Sequence, residues 1–582
     1  MSGSPSCRIR CNWPDYVNAR QRLAEVARGR EPADLVLTNG RIFDVLSGDL
    51  VAADLAILGD RIAGVGSYDG LQSLDVRGRI ILPGFIDAGA ELEASHLTIG
   101  EYARIVSSHG TTAAIFDFRA IAAVLGLQGL TGMLDDGARS VLDALLAAPL
   151  WCGRRWDTAA ARFDAMDPTF LSLPGLVARG GSLNGRALID AGASVLAAGD
   201  YDAYLPVIVE GAGLTNTESA ALAALGAAAD RTWNSPEEAL AKLRQGYWLL
   251  AAEGTLASSA ADLKWLARSA RLDRICLVSG SCTAADLVSE GHLNAALRRV
   301  VRAGVAAGDA IRMVTSQPAA LFGLHDRGAL LPGRKADIVV VDDLRTFTVN
   351  LVIRHGRPVA RLGASLLPPA LPPAPLGYHS IHSAVCLAEH LTIRGHAGPC
   401  RVIGLEDNGD TTSREGTPRW GEGALHANPA LDLIKVAVLE RHTASGRCGL
   451  GFVQGLGLRE GAICCSFAGA GQNLIVAGAD DANMALAVQH VAADGGGMVV
   501  LRNRTVAASV SLPSAGLLSP LPAEELVAAL QRVEAAAWEL GCDAVHPFLA
   551  LASLADARTG ELRITEQGLV DVANQRLLAL QD

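Results

Sequence analysis

The sequence predicts an α/β chain: a TIM-type (β/α)8 barrel, a β-sandwich flanking it, and a separate α+β domain at the C-terminal end. Three observations predict this. Between about 81 and 325, short β-rich runs such as TTAAIFDF and RICLVSG alternate with long Ala/Leu-rich helical stretches. That alternation is the pattern of parallel strands joined by crossover helices. Short strand-like runs of similar style stand on both sides of it, at 32–80 and 326–361. Residues 362–378, LGASLLPPALPPAPLGY, then form a Pro-rich linker, extended and semi-rigid.

The elements follow in order. Residues 1–31 form an N-terminal extension whose helical periodicity rests on Val17, Leu23 and Val26. Residues 32–80 alternate apolar and polar side chains, with Asn39-Gly40 and Gly59-Asp60 at turns, and predict short antiparallel strands. Together with 326–361 they make one sandwich from both flanks of the barrel. Residues 379–582 mix strand runs (LIKVAVLERH, GAICCSFAGAG) with a Gly495-Gly496-Gly497 turn and the helix PAEELVAALQRVEAAAWEL.

Composition excludes several classes. The formal charge is −11 with both signs dispersed, which lacks the basic stripe of a nucleic-acid binder. The apolar stretches are broken by Asp, Arg, Pro and Gly, so no membrane span is expected. The start, MSGSPSCRIRCNWPDY, carries no apolar signal core, and a cytoplasmic protein is expected. Eleven scattered cysteines, an odd number, read as buried free thiols rather than a disulfide framework or a zinc cluster.

Several ordered segments together resemble bacterial adenine deaminases of the amidohydrolase superfamily. They are ADLVLTNGRIFDVLSGDLVAADLAI, ILPGFIDA, HGTTAAIFD, ALFGLHDRGALLPGRKADIVVVDDL and, in the last domain, IKVAVLERH, GLGFVQGLGLREGAI and LPSAGLLS. The resemblance runs from about residue 32 to the end. It implies an amidohydrolase barrel, the conversion of adenine and water to hypoxanthine and ammonia, and a manganese or iron centre.

The chemical positions depart from that family. Its first barrel strand ends in His-x-His, and here those positions are Gly89 and Glu91, with Glu93 and Ser95 kept. Its Asp-Pro-His-Glu is here Asp117-Phe118-Arg119-Ala120. Its Gly-His-Ala matches Glu210-Gly211-Ala212, and its Ser-Asp-His-Glu matches Ala229-Asp230-Arg231-Thr232. Its last strand ends Thr-Asp-Asp, and here it reads Ser279-Gly280-Ser281. In the C-terminal domain the family's Ala-His-Asp-Ser-His-Asn, which resembles a second polar site, becomes Ala468 to Asn473, while Glu440-Arg441-His442 is kept.

The degenerate catalytic positions are therefore Gly89, Glu91, Arg119, Gly211, Arg231, Gly280 and Ser281, and no metal is expected. Glycine has no ligand atom, and two arginines oppose a dication by Coulomb repulsion. Each arginine is expected to turn outward or to pair with Asp117 or Asp230. Pocket candidates are Glu93, Ser95, His96, Asp117 and Asp230. A site rebuilt from Glu91, Glu93, His96 and Asp117 is the alternative. His96 otherwise reads as a surface or cap residue, and His109, His292 and His325 read as loop or helix residues. The first expectation for function is a catalytically inactive partner or regulator, self-associated or bound to an active paralogue. The alternatives are an active purine aminohydrolase with a rearranged site and a metal-free protein that binds a purine ligand.

Overall fold

The computed structural model describes residues 13–150, 173–192, 205–253, 259–370, 377, 379–406, 409–558, 560–574 and 576–581. Residues 1–12 of the predicted extension and 371–376 and 378 of the predicted linker lie outside these. The helix Trp13–Ala27 packs Leu23 and Val26 onto Ala33, Val36 and Ala56, while Val17 is exposed.

Two sheets flank the barrel. One holds the strands Ala33–Thr38, Asp54–Leu58, Arg61–Gly66 and Gly70–Asp75. The other joins Arg41–Phe43, Leu50–Ala52 and Ile80–Pro83 to four strands between residues 338 and 365. The two flanks meet where Ile80–Pro83 pairs antiparallel with Ile338–Val341. Their facing side chains, among them Leu37, Leu55, Ile57, Ile81, Ile338 and Val340, form one buried cluster. The strands between 32 and 80 are not all antiparallel, which corrects the sequence expectation. Ala33–Thr38 runs parallel to Gly70–Asp75, and Arg41–Phe43 runs parallel to Ile80–Pro83. The chain switches sheets after Thr38, so these pairs are not sequence neighbours joined by a hairpin.

The barrel strands run in chain order: β1 (Phe85–Ala90), β2 (Thr111–Phe116), β3 (Asp143–Pro149), β4 (Leu176–Asn184), β5 (Val207–Glu210), β6 (Ala227–Asp230), β7 (Trp248–Ala252) and β8 (Ile275–Val278). Every neighbouring pair is parallel. The interior is filled by small and branched side chains such as Ala88, Ala113, Ile115, Ile208, Ala229 and Val278. β1 meets β8 through a single bridge, Ala90 to Gly280. Side chains complete this seam. The Asp87 carboxylate accepts the Ser279 N–H at 3.2 Å and the Ser279 hydroxyl. His292, expected to be an ordinary loop or helix residue, is buried in the same network: Nε2 lies 3.2 Å from Asp87 and 3.0 Å from the Tyr102 hydroxyl, and Nδ1 lies 2.7 Å from the Thr111 hydroxyl. A buried carboxylate with this many partners closes the barrel where backbone pairing is thin.

The last domain is built on an eight-stranded, mostly antiparallel sheet whose central strands are Ile434–Leu439, Asn473–Gly478 and Ala462–Ala468. The helix Asp481–Ala493 covers one face. The helices Ala523–Glu539 and Pro547–Ser553 cover the other and face the barrel. Barrel residues Ile99, Tyr102 and Ile121 share one hydrophobic cluster with Val436, Leu526 and Phe548 of this domain. Polar contacts reinforce it. Buried Glu101 accepts the backbone N–H groups of Ala370 (2.5 Å) and Ala523 (3.2 Å), and Arg104 bridges Glu101 and Glu524 at 2.9 and 2.8 Å. The last domain is thereby docked against the elements that follow the first two barrel strands.

Candidate functional site

In a parallel barrel, side chains just past the C-terminal strand ends converge on one mouth. Glu91 follows β1, Asp117 and Arg119 follow β2, Arg231 follows β6, and Gly280 and Ser281 follow β8. The structure brings most of them together. Arg231 turns inward: its guanidinium donates to Glu91 Oε1 at 2.6 Å and lies 3.9 Å from Asp117. Ser281 donates its hydroxyl to the second oxygen of Glu91, and the Glu91 N–H reaches the Gly280 carbonyl at 3.4 Å. Burial alone would raise the Glu91 pKa, but Arg231 and the Ser281 hydroxyl outweigh it and hold the carboxyl below its ordinary range. Arg231 is correspondingly held above its ordinary value: burial disfavours its charge, and Glu91, Glu210 and Asp117 more than offset that. Charge-assisted bonds of this length tie β1, β6 and β8 across the mouth.

Gly89 is partly exposed, and a β-carbon there would make ordinary contact with Val278 at 3.5 Å. Gly211 is different. A β-carbon there would lie 2.5 Å from Asp230 Oδ2, so a side chain at this position has no room unless Asp230 moves. Gly280 has φ +58°, the left-handed region that favours glycine.

The pocket candidates divide. Asp230 faces away from the mouth. It is fully buried against Lys242 Nζ at 2.8 Å and accepts the N–H groups of Gly211 and Thr232. Arg231 thus pairs with Glu91 and not with Asp230, because Lys242 already neutralises that carboxylate. Ser95 is buried as well and donates to the Leu92 carbonyl at 2.7 Å, closing a helical turn. Asp117 supports the mouth from behind, near Arg231 and bonded to the Arg119 N–H at 3.1 Å. Glu93 accepts the Ile121 N–H at 3.2 Å, and burial together with neighbouring Asp117 pushes its pKa up to about 7. His96 is not a surface residue. It caps a 3-10 turn with φ +56°, is buried, lies 2.9 Å from the Leu517 carbonyl through Nδ1, and packs 4.7 Å from the Phe467 ring. His109 follows the helix Ile99–Ser108 and His325 is exposed in a turn, as loop residues.

The cavity at the mouth has a volume of about 250 Å³, which is roughly eight water volumes. Glu91, Arg119, Ser281 and Thr283 line its barrel side. Phe467, Gly469, Gln472, Ser553, Asp556 and Arg558 line its other side, from the last domain. Arg558 is clamped to Asp556 at 2.7 and 2.8 Å and reaches toward Glu210 on β5 at 3.9 Å. Asp556 and Arg558 were not singled out in the sequence, since nothing local marks them. The one signal was the stretch Ala468–Asn473, which supplies Gly469, Ala470 and Gln472. Glu440-Arg441-His442 lies behind the cavity as a turn. Burial opposes ionisation of Glu440, but bonds from Thr443, Ser445 and the His442 N–H hold its pKa down to about 2.

Known proteins match along nearly the whole chain. A family model described as the adenine deaminase C-terminal domain matches residues 410–576, and one described as the amidohydrolase family matches residues 207–359. An adenine deaminase of Desulfatibacillum aliphaticivorans is 36% identical over 556 residues, 95% of this chain and 98% of that protein. One of Methylobacterium sp. (strain 4-46) is 37% identical over 574 residues, 96% of this chain and 99% of that protein. The chain belongs to the adenine deaminase family. Within this adenine deaminase-type scaffold, the described residues contain one group of three metal-capable side chains, Asp143, Asp337 and His355. It lies at the N-terminal end of β3, away from the mouth, and Asp143 there is already bonded to Arg327, Lys335 and Arg354. No helix among the described residues is long and apolar enough to cross a membrane.

Proposed function

We propose that the chain is a catalytically silent member of the adenine deaminase family, kept as a partner or regulator. The observation that carries this reading is the Glu91–Arg231 ion pair at 2.6 Å in the barrel mouth. A manganese or iron centre that activates water needs several imidazole or carboxylate ligands with an open position. The donor set at the mouth does not fit one. Both oxygens of Glu91 are engaged, by Arg231 and Ser281. The nearest mouth histidine, His96, is tied to Leu517 through Nδ1. Arg231 and Arg119 are permanently cationic, and their charges oppose a dication. The ion pair supplies the cross-strand tie that a metal would give, without its chemistry. Elemental analysis and adenine turnover on protein expressed with added manganese or iron test this. One or two metals per chain together with hypoxanthine formation would replace it with a working aminohydrolase of rearranged site.

A second reading, a metal-free binding protein, is favoured by one observation: the mouth still encloses a cavity of about 250 Å³. The two readings are compatible, because a regulator also needs something to sense.

A further inference from the structure

The cavity is the larger of two chambers. A smaller one of about 70 Å³ adjoins it and shares Ala94, Thr283, Phe467 and Leu549 as wall. Its remaining surface is largely apolar, from Met498, Val527, Leu530 and Phe548, with a Glu534–His546 pair at 3.2 Å on its rim. The larger chamber is polar, but its carboxylates are engaged. Glu91 is held by Arg231 and Ser281, Asp556 by Arg558, and Asp117, just behind, by the Arg119 N–H and Arg231. Arg119 stands apart. Among the described residues its guanidinium makes no hydrogen bond or ion pair, and Glu91, Glu93 and Asp556 act on it only at a distance. The two-chambered cleft therefore has a cation with open N–H groups at one end and apolar side chains at the other.

We infer that this cleft binds a small organic carboxylate with a compact apolar body, its acid group on Arg119 and its body along Phe467 and Leu549 toward Phe548. The inference rests on the non-catalytic reading of the mouth. A guanidinium presents paired N–H donors that match a carboxylate, and such bonds are roughly twice as strong as neutral ones. A neutral purine would offer the open N–H groups of Arg119 no charged acceptor, and those bonds would be the weaker neutral kind. An inorganic anion would leave the apolar chamber unfilled.

Calorimetric titration of the full chain with benzoate, phenylacetate and 4-methylpentanoate tests this, with benzamide, acetate, inorganic phosphate and adenine alongside. At least one of the three apolar carboxylates is expected to bind at least tenfold more tightly than benzamide, acetate, phosphate or adenine. Arg119→Gln is expected to weaken that carboxylate at least tenfold and to leave benzamide unchanged, with the thermal midpoint of the free protein unaltered. If Arg119→Gln fails to fold, the carboxylate-to-amide ratio in the parent protein decides alone. Equal binding of benzamide and benzoate, phosphate binding as tightly as any apolar carboxylate, unchanged affinity in a folded Arg119→Gln, or no carboxylate binding up to millimolar concentration would each overturn the inference. None of these results touches the non-catalytic reading, which falls only if metal and adenine turnover are found.

Discussion

Arg231, just past β6, reaches across the barrel mouth to Glu91, just past β1, at 2.6 Å. Both side chains are largely withdrawn from water, with 12% and 29% of their surface exposed. The Ser281 hydroxyl completes the arrangement from β8. Three strand ends are thereby joined by side chains across the mouth.

Breaking this pair is expected to destabilise the fold. Arg231→Met or Glu91→Gln leaves the other charge without its main partner, at a cost of about 1–3 kcal/mol given partial exposure. The double variant should recover part of that loss. Urea unfolding of the four proteins in a double-mutant cycle measures the coupling, and additive single effects would mean the pair contributes nothing.

Rebuilding one family motif should not rebuild the chemistry. Gly89→His with Glu91→His is sterically permitted at residue 89, where a β-carbon makes only ordinary contact with Val278. It leaves Arg231 without its partner, and Gly280 and Ser281 stay in place of the last-strand acids. Catalytic groups act as a unit, so hypoxanthine formation is expected to stay at background, with metal well below one per chain. Chromatographic detection of hypoxanthine and elemental analysis check this.

Lys242 is expected to be among the most sensitive charged positions. Its ammonium, 2% exposed, lies 2.8 Å from both Asp230 and Glu238 and donates to the carbonyls of Gly211 and Thr232. Lys242→Met strands two carboxylates and should cost about 3–5 kcal/mol. Gly211→His should also destabilise, because its β-carbon would approach Asp230 to 2.5 Å. Thermal midpoints of both variants, compared with Gly89→Ala as a tolerated control, test the ranking.

Acid should weaken the chain in a defined window. Burial pushes the His96 pKa down to about 4, partly opposed by its bond to the Leu517 carbonyl, and burial does the same at His109. The folded state therefore keeps both rings neutral while the unfolded chain takes up protons below about 6.5. The contribution of these two rings is full above pH 6.5 and is lost as pH drops toward 4; the single carboxyl of Glu93, raised to about 7, takes up a proton over the same range and offsets about half of that loss. His96→Asn tolerates the left-handed backbone and retains a side-chain N–H for Leu517. It should flatten the stability-against-pH curve between pH 6.5 and 4.5 in urea titrations, whereas an unchanged slope would assign the effect to other groups.

Association is expected of a scaffold kept for partnership. A homo-oligomeric interface can be inherited by a diverged copy, and a stable one buries more than about 1,000 Å². Light scattering coupled to gel filtration at micromolar concentration should give a mass above that of one chain, or affinity purification from the native host should recover a full-motif relative. A monomer with neither would count against the partner role.

The sequence by itself determined the barrel, because β/α alternation writes a parallel sheet into local order and turn residues punctuate it. It also determined which positions stand at the strand ends. Gly89 ends a predictable strand and Glu91, Arg119, Arg231 and Ser281 follow others, and strand ends of a closed barrel must converge. Local pattern could not say what those side chains do on meeting. Whether Arg231 turns to Glu91 or Asp230 depends on Lys242, a helix residue that already neutralises Asp230. His292 carries no local mark of its burial against Asp87, which arises only when β1 and β8 close the ring. The same holds for the cavity's second wall. Phe467, Asp556 and Arg558 lie hundreds of residues from Glu91 in the chain and reach it only because a shared hydrophobic cluster docks the last domain over the mouth. Periodicity and turn chemistry act over a few residues, whereas charge pairing and enclosure are set by which distant surfaces the buried core forces together.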